Sequence, residues 1–425
     1  MIVRGLAAAA SAIRTEAGLA RVAMGVVALH VVDDNWLQPN PGTSAGDHLF
    51  GGLVPLALLV AAIALYPRLR PGARGTIALL AGFFGGLVAT EAVHYTRAVG
   101  PSGDDFTGLL AIPACLLLVG LGARTLWRSR RRDDARWWRY TRRLLFVGVA
   151  YLVAVAVLFP VSIGYVVTHA ARAHVPAADL GAPYEEVEFT TSDGLELKGW
   201  YIESKNGAAV VSFPGRASSQ ERAKFLARHG YGVLLFDRRG EGESEGDPNL
   251  FGWQGERDIH AAVAYLQTRP DVDPERIGGI GLSVGGEMMI EAAAESTALK
   301  AIVSEGASGR SVRDIAANPG GSWQELIGNS FATAATAIFT DNLPPATLKS
   351  LVPKMSAAAF FIYGENGQSV EKPANTAFYE AARGPKEIWK VPGSGHIGGL
   401  DARPEEYERR VVAFFDRMLS ARPSR

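Results

Sequence analysis

Two residues of this chain have both the type and the setting that nucleophilic catalysis requires. Gly281-Leu282-Ser283-Val284-Gly285 follows a β-rich run, Arg276–Leu282, and opens a helical stretch near Gly285. A G-x-S-x-G match alone is weak, because small residues cluster by chance. Between a strand and a helix it acquires a mechanical meaning. The glycines leave room for a sharp turn, and the serine hydroxyl projects at its tip beside a helix N-terminus. A serine hydroxyl needs a base, and the base needs an orienting group. His396, in Val391-Pro392-Gly393-Ser394-Gly395-His396, lies in a glycine-rich loop just past the last strand. Four other histidines have plainer settings. His229 ends a helix, where a cation suits the dipole, His260 is mid-helix, and His169 and His174 lie in a linker.

These residues must be positioned by a scaffold, and the chain after Pro183 shows one. Short β-rich runs bounded by Gly, Pro and Asp recur at Glu185–Thr190, Leu195–Glu203, Ala208–Phe213, Gly232–Phe236, Arg276–Leu282, Lys300–Glu305, Ala358–Tyr363 and Lys386–Val391. Ser192-Asp193-Gly194 is a hairpin signal between the first two. From the third run onward, strands alternate with helical stretches such as Ser218–Arg228, Gln254–Thr268 and Gly285–Ala294. That alternation predicts a mostly parallel eight-stranded sheet with helices on both faces.

Residues 184–425 read as one domain, and about 184–420 of it resembles the α/β-hydrolase family. Tyr231-Gly232-Val233-Leu234-Leu235-Phe236-Asp237-Arg238-Arg239-Gly240-Glu241-Gly242-Glu243-Ser244 is similar to the family's strand and its D-x-R-G-x-G-x-S turn. Arg276-Ile277-Gly278-Gly279-Ile280-Gly281-Leu282-Ser283-Val284-Gly285-Gly286 is similar to its nucleophile elbow. The resemblance implies the chain order Ser, acid, His, and an oxyanion hole from two backbone N–H groups. One is that of Val284. The other belongs to the loop after the third strand, Ser212-Phe213-Pro214-Gly215-Arg216, and falls to Arg216. Relatives usually carry His-Gly where this chain has Pro214-Gly215.

The acid departs from the family pattern. Where relatives often read G-x-x-D, this chain reads Gly364-Glu365-Asn366-Gly367. Glu371 is the favoured acid, since a loop can fold back to bring it to His396, and Glu365 is the alternative. About fifty residues, roughly 307–354, precede the next strand and include Trp323 and Pro344-Pro345. In this fold such an insertion commonly forms a helical lid, although an ordinary helical excursion fits equally well.

The first 170 residues imply a different solvent. No lysine occurs before Lys198, and apolar stretches cover about 19–35, 49–66, 76–94, 106–126 and 144–167. A bilayer core of ~30 Å needs about 20 apolar residues as a helix. The expectation is a five-helix transmembrane bundle over residues 1–167, a linker over 168–183, and no cleaved leader. Arginine orients it: Arg4, Arg14 and Arg21; Arg68, Arg70 and Arg74; and eight between Arg128 and Arg143 fall on one side of a five-span bundle. The opposite links carry Arg97 against Asp33, Asp34, Asp47, Asp104 and Asp105. The positive-inside bias places the N-terminus in the cytoplasm and the hydrolase-like region outside it.

His30, Asp33, Asp34, Asp47, His48, Glu91 and His94 gather near one end of these spans. His30/Asp34 and Glu91/His94 share helix faces at i,i+4 and i,i+3. One reading is a metal- or proton-handling site of mixed ligands. The plainer one is interfacial residues wetted by headgroups, and it is preferred here.

With 43 basic and 43 acidic side chains in 425 residues, no positive surplus favours nucleic acid. The single cysteine, Cys115, excludes an internal disulfide framework and Cys-based metal sites. The reading that follows is a membrane-anchored serine hydrolase that needs no cofactor and acts on a small acyl ester or lipid-like substrate. Peptidase or acyltransferase chemistry would use the same residues, and a non-catalytic ligand-binding domain is the rival.

Overall fold

β-branched and aromatic runs bury themselves on both faces of one sheet. The computed structural model describes residues 15–101, 103, 105–129, 136–317 and 323–420. Arg4, Arg14, Arg130, Arg131, Arg132, Asp104 and part of the expected lid lie outside these. The chain divides into two units, residues 1–171 with 334–342, and residues 172–333 with 343–425.

The second unit carries the eight strands β1 (Glu185–Thr190), β2 (Glu196–Ile202), β3 (Ala209–Phe213), β4 (Gly232–Phe236), β5 (Ile277–Leu282), β6 (Ala301–Glu305), β7 (Ala358–Gly364) and β8 (Lys386–Val391). Their order across the sheet is β1-β2-β4-β3-β5-β6-β7-β8. β1 pairs antiparallel with β2 in the expected hairpin, β2 pairs antiparallel with β4, and all later pairs are parallel. Every residue of β3, β4, β5, β6 and β7 is buried. Continuous apolar runs of this kind belong to a sheet covered on both faces. Two apolar layers cover it, one including Phe213, Met288 and Phe378, the other Trp200, Tyr407 and Phe415. Leu180 joins the second layer, so the stretch read as linker is packed into this unit from Arg172 onward.

Among the described residues of the first unit, four helices are long and apolar enough to cross a membrane: Ala45–Arg68, Pro71–Ala98, Asp105–Arg128 and Trp137–Thr168. The expected fifth is the helix Glu16–Val32, 17 residues long. At ~1.5 Å per residue it spans about 25 Å, short of a ~30 Å core. Asp33 and Asp34 end its apolar run, and the chain continues as a single π-helical stretch, Asp33–Leu37. Small residues let these helices approach. A Cβ on Gly122 would lie 2.8 Å from the Gly75 carbonyl, and one on Gly82 would lie 2.9 Å from Val119. Close backbone approach through small residues is how apolar helices pack when no water drives them together.

The insertion between β6 and β7 contains helices Val312–Ala317, Trp323–Phe339 and Leu348–Leu351. The end of its long helix, from Ala334, belongs to the first unit. There the Asp341 carboxylate accepts the N–H groups of Phe50 at 2.9 Å and Gly51 at 2.8 Å. It thereby caps the N-terminus of helix Leu49–Leu65, where orphan donors and a partial positive charge favour an anion.

Candidate active site

The turn between β5 and the helix Val284–Glu295 holds Ser283 at φ 51° and ψ −123°, a conformation that L residues rarely adopt. Such strain persists only where the surroundings fix it, and it clusters at functional sites. The flanking glycines are required by space. A Cβ on Gly281 would lie 2.3 Å from the Gly285 carbonyl oxygen, and one on Gly285 would lie 2.8 Å from Phe213 and 3.0 Å from Pro214. The turn thus folds over itself and receives the loop after β3.

His396 Nε2 lies 2.9 Å from Ser283 Oγ, and His396 Nδ1 lies 2.6 Å from Glu371 Oε1. Ser283, His396 and Glu371 therefore come together in one hydrogen-bonded row. The helix Glu371–Ala381 begins at this glutamate, whose fully buried carboxylate also accepts the N–H of Gln368 at 2.7 Å. Its hydrogen bond holds the His396 imidazolium above the ordinary value of 6.5, against the opposing pull of partial burial. Glu365 lies apart, exposed, on Lys390 Nζ at 2.8 Å and on the N–H of Gly393 at 3.1 Å. The other histidines of this unit are engaged elsewhere, His174 with Glu243, His229 with Glu408 and His260 with the Ala292 carbonyl.

The two expected oxyanion donors part company. Val284 opens its helix, so its N–H has no intrahelical acceptor by position. The Arg216 N–H, by contrast, donates to Asp237 Oδ1 at 2.9 Å, and its Nε donates to Oδ2 at 2.8 Å. This corrects the expectation for Arg216. A buried carboxylate at the D-x-R-G turn demands donors, and Asp237 takes a backbone and a side-chain donor from Arg216 and a further backbone N–H from Glu243. Arg216 thus ties the loop after β3 to the turn after β4.

Sequence patterns missed the brace beneath the histidine loop. Buried Glu305, last residue of β6, accepts from Arg222 Nη2 at 2.9 Å, from the Tyr407 hydroxyl at 2.7 Å and from the Gly399 N–H at 2.8 Å. Arg222 also reaches the Ile397 carbonyl at 3.3 Å. Gly306 follows at φ +75°, and a Cβ there would meet the His396 ring at 3.1 Å. The available signal was a lone carboxylate ending an apolar strand immediately before a glycine.

In the first unit, His30, Asp34 and Glu91 offer ligand atoms within 4.8 Å of one another. Asp47 instead closes a capping box with Ser44, His48 Nε2 lies 3.0 Å from Thr43 Oγ1, and His94 is exposed.

The strand order, the serine turn and the Ser–His–Glu row are those of an α/β-hydrolase-like unit. The sequence profile of the X-Pro dipeptidyl-peptidase (S15) family matches residues 152–358, a stretch that includes Ser283 and ends before Glu371 and His396. Together these support an α/β hydrolase and, in general terms, a serine hydrolase. The uncharacterized protein YfhR of Salmonella typhi is 25% identical over 252 residues, 57% of this chain and 84% of that protein. The thiohydrolase aneE of Aspergillus aculeatus is 39% identical over 129 residues, 28% of this chain and 41% of that protein. A solved structure of the Pyrococcus furiosus esterase Pf2001 shares 25% identity, with a TM-score of 0.48 over 59% of this chain and 97% of that one.

Proposed function

We propose that the chain is a membrane-anchored serine hydrolase that cleaves carboxylic esters outside the cytoplasm. The observation that carries this reading is the row Ser283 Oγ–His396 Nε2–Glu371, with contacts of 2.9 and 2.6 Å. His396 takes the proton of Ser283 as the hydroxyl oxygen attacks the acyl carbon, and Glu371 holds the tautomer and stabilises the imidazolium. The Val284 N–H, at the helix N-terminus, receives the developing oxyanion. His396 then protonates the leaving alkoxide. Water, activated by the same histidine, releases the acid from the acyl-serine. No step requires a cofactor.

Exposed Trp323, Ile327 and Phe331 recur at one-turn spacing along the insertion helix. They support a lid that meets an acyl chain, and hence a lipid-like ester. The arginine bias supports a cytoplasmic N-terminus, and the helix Glu16–Val32 with its extension to Leu37 must count as a span for the hydrolase unit to lie outside. The S15 match favours one second reading, amide hydrolysis on the same residues.

Labelling intact cells with a membrane-impermeant fluorophosphonate tests nucleophile and sidedness together. Labelling at Ser283, lost in Ser283→Ala, is expected. The purified variant should lose several orders of magnitude in ester turnover, since removing such a serine costs about 10⁶ in the subtilisin case. Undiminished hydrolysis by Ser283→Ala would remove the mechanism, and faster cleavage of an X-Pro anilide than of p-nitrophenyl esters would favour the amide reading.

A further inference from the structure

The helix Glu16–Val32 ends with His30 buried, and one turn further on Asp34 faces the same way. Glu91, on the helix Pro71–Val99, completes a set whose ligand atoms all lie within 4.8 Å of each other. Charges are costly at such depth in a helical bundle and call for a counter-charge or a cation. Here an imidazole and two carboxyl groups from two helices converge on one point.

A hydrogen-bond relay sets the histidine tautomer. The Thr107 hydroxyl donates to Asp33 Oδ2 at 2.8 Å, and in that arrangement its oxygen is placed to accept from His30 Nδ1, 3.1 Å away. Nδ1 then carries the imidazole proton, and Nε2 presents the lone pair. Metal-binding histidines are characteristically fixed in this manner, through the ring nitrogen that does not bind the ion. The Tyr165 hydroxyl donates to Glu91 Oε2, which orients that carboxylate as well. A small cavity opens among His30, Asp34, Tyr165 and Phe339.

We propose that His30 Nε2, Asp34 and Glu91 bind a first-row divalent cation, of which Zn²⁺ is the model. Nitrogen and carboxylate oxygen are borderline-to-hard donors, suited to Zn²⁺ or Mn²⁺ rather than to soft Cu⁺. Bonds of ~2.0–2.2 Å place tetrahedral ligand atoms about 3.4 Å apart, so closure around the ion needs side-chain shifts of about an ångström. Three protein ligands leave at least one position open, as sites that bind water or substrate do. Asp33 and Thr107 act as positioning residues.

The test uses the full-length chain in detergent, stripped with chelator and titrated with Zn²⁺ by calorimetry. The visible spectrum of bound Co²⁺ serves as a second readout. One ion per chain is expected. His30→Ala and Glu91→Gln should weaken binding at least a hundredfold, and His94→Ala should leave it unchanged. Thr107→Val keeps all three ligands and frees the tautomer, so it should weaken binding by about ten- to a hundredfold and shift the Co²⁺ bands. Helical content and gel-filtration position check folding; if a ligand variant fails to fold, Thr107→Val decides. No stoichiometric ion, or binding that none of these changes weakens, overturns the proposal. Fluorophosphonate labelling of Ser283 is read separately, so a negative result here leaves the hydrolase reading untouched.

Discussion

A Cβ placed on Gly367 would lie 2.4 Å from Glu371 Oε2. Gly367 stands at the position where α/β hydrolases often carry their aspartate, and the Glu371 carboxylate has moved into the space that such a side chain would fill. The glycine is thus the counterpart of the glutamate: one position is emptied so that a carboxylate four residues later can reach His396. Even one methyl group should disturb the row. Gly367→Ala is expected to lower kcat by about 10–10²-fold with little change in KM, since displacements near 1 Å at a catalytic group can cost 10²-fold. Gly367→Asp combined with Glu371→Ala returns the acid to the more usual place and should recover activity relative to Glu371→Ala alone. Steady-state kinetics on a p-nitrophenyl ester decide, and a Gly367→Ala enzyme as fast as the parent would contradict the steric argument.

The direction of the His396 shift gives a pH signature. In the proposed mechanism His396 must be neutral to accept the serine proton, and the Glu371 hydrogen bond raises its pKa above 6.5. The kcat/KM profile should therefore rise with pH through an inflection above that value. In Glu371→Gln the inflection should move down while the plateau falls by about 10⁴. The stability linkage has its own sign. The charged pair's contribution is fully present below the unfolded-state value near ~6.5 and is lost as pH rises through the higher folded-state value. An inflection that stays fixed in Glu371→Gln would mean that another group sets it.

Much of this scaffold was legible because its signals are local. Short β-rich runs between turn residues predict all eight strands to within two residues at either end, and the serine turn announces itself by glycines that its own backbone requires. What stayed hidden depends on partners distant in sequence. Nothing near Arg216 reveals that Asp237, 21 residues on, takes its N–H. Glu305 has partners 83, 94 and 102 residues away, and no periodicity encodes them. The insertion reads equally well as a lid or as an ordinary helical excursion, and only the fold places the stretch from Ala334 to Asn342 with the first unit. The count of spans is obscured by Asp33 and Asp34, whose charges end an apolar run that would otherwise be long enough.

Glu256 offers a test of stability independent of the catalytic row. Burial, reinforced by the nearby Glu291 carboxylate, pushes it up to about 7. A carboxyl group whose folded-state value exceeds its unfolded value of ~4.3 destabilises the native state as pH rises between the two, and the cost is constant above the higher one. At ~1.4 kcal/mol per unit the limit is about 4 kcal/mol, and the side chain's remaining contact with water reduces it. Glu256→Gln should therefore melt at a higher temperature than the parent at pH 8, and the advantage should vanish near pH 4. Scanning tryptophan fluorescence of the whole chain in detergent measures both, and a gain independent of pH would point to packing instead of charge.

Topology turns on one short helix. Four apolar helices return the chain to its starting side, whereas counting the helix Glu16–Val32 as a fifth span carries residues beyond Thr168 across. The helix alone is short for a bilayer, but the Asp33–Leu37 extension adds five helical residues. Their added rise of about 7 Å brings the total above ~30 Å. The arginine bias favours five spans, since the N-terminal arginines and those between Arg128 and Arg143 then share the cytoplasmic side. A reporter active only outside the cytoplasm should be active when fused after Arg425 and silent when inserted between Arg128 and Arg136. Activity at both sites or neither would contradict an odd number of spans over this stretch. The reverse pattern would mean that a span is miscounted, first of all the short helix Glu16–Val32, and would place the Ser283 chemistry in the cytoplasm.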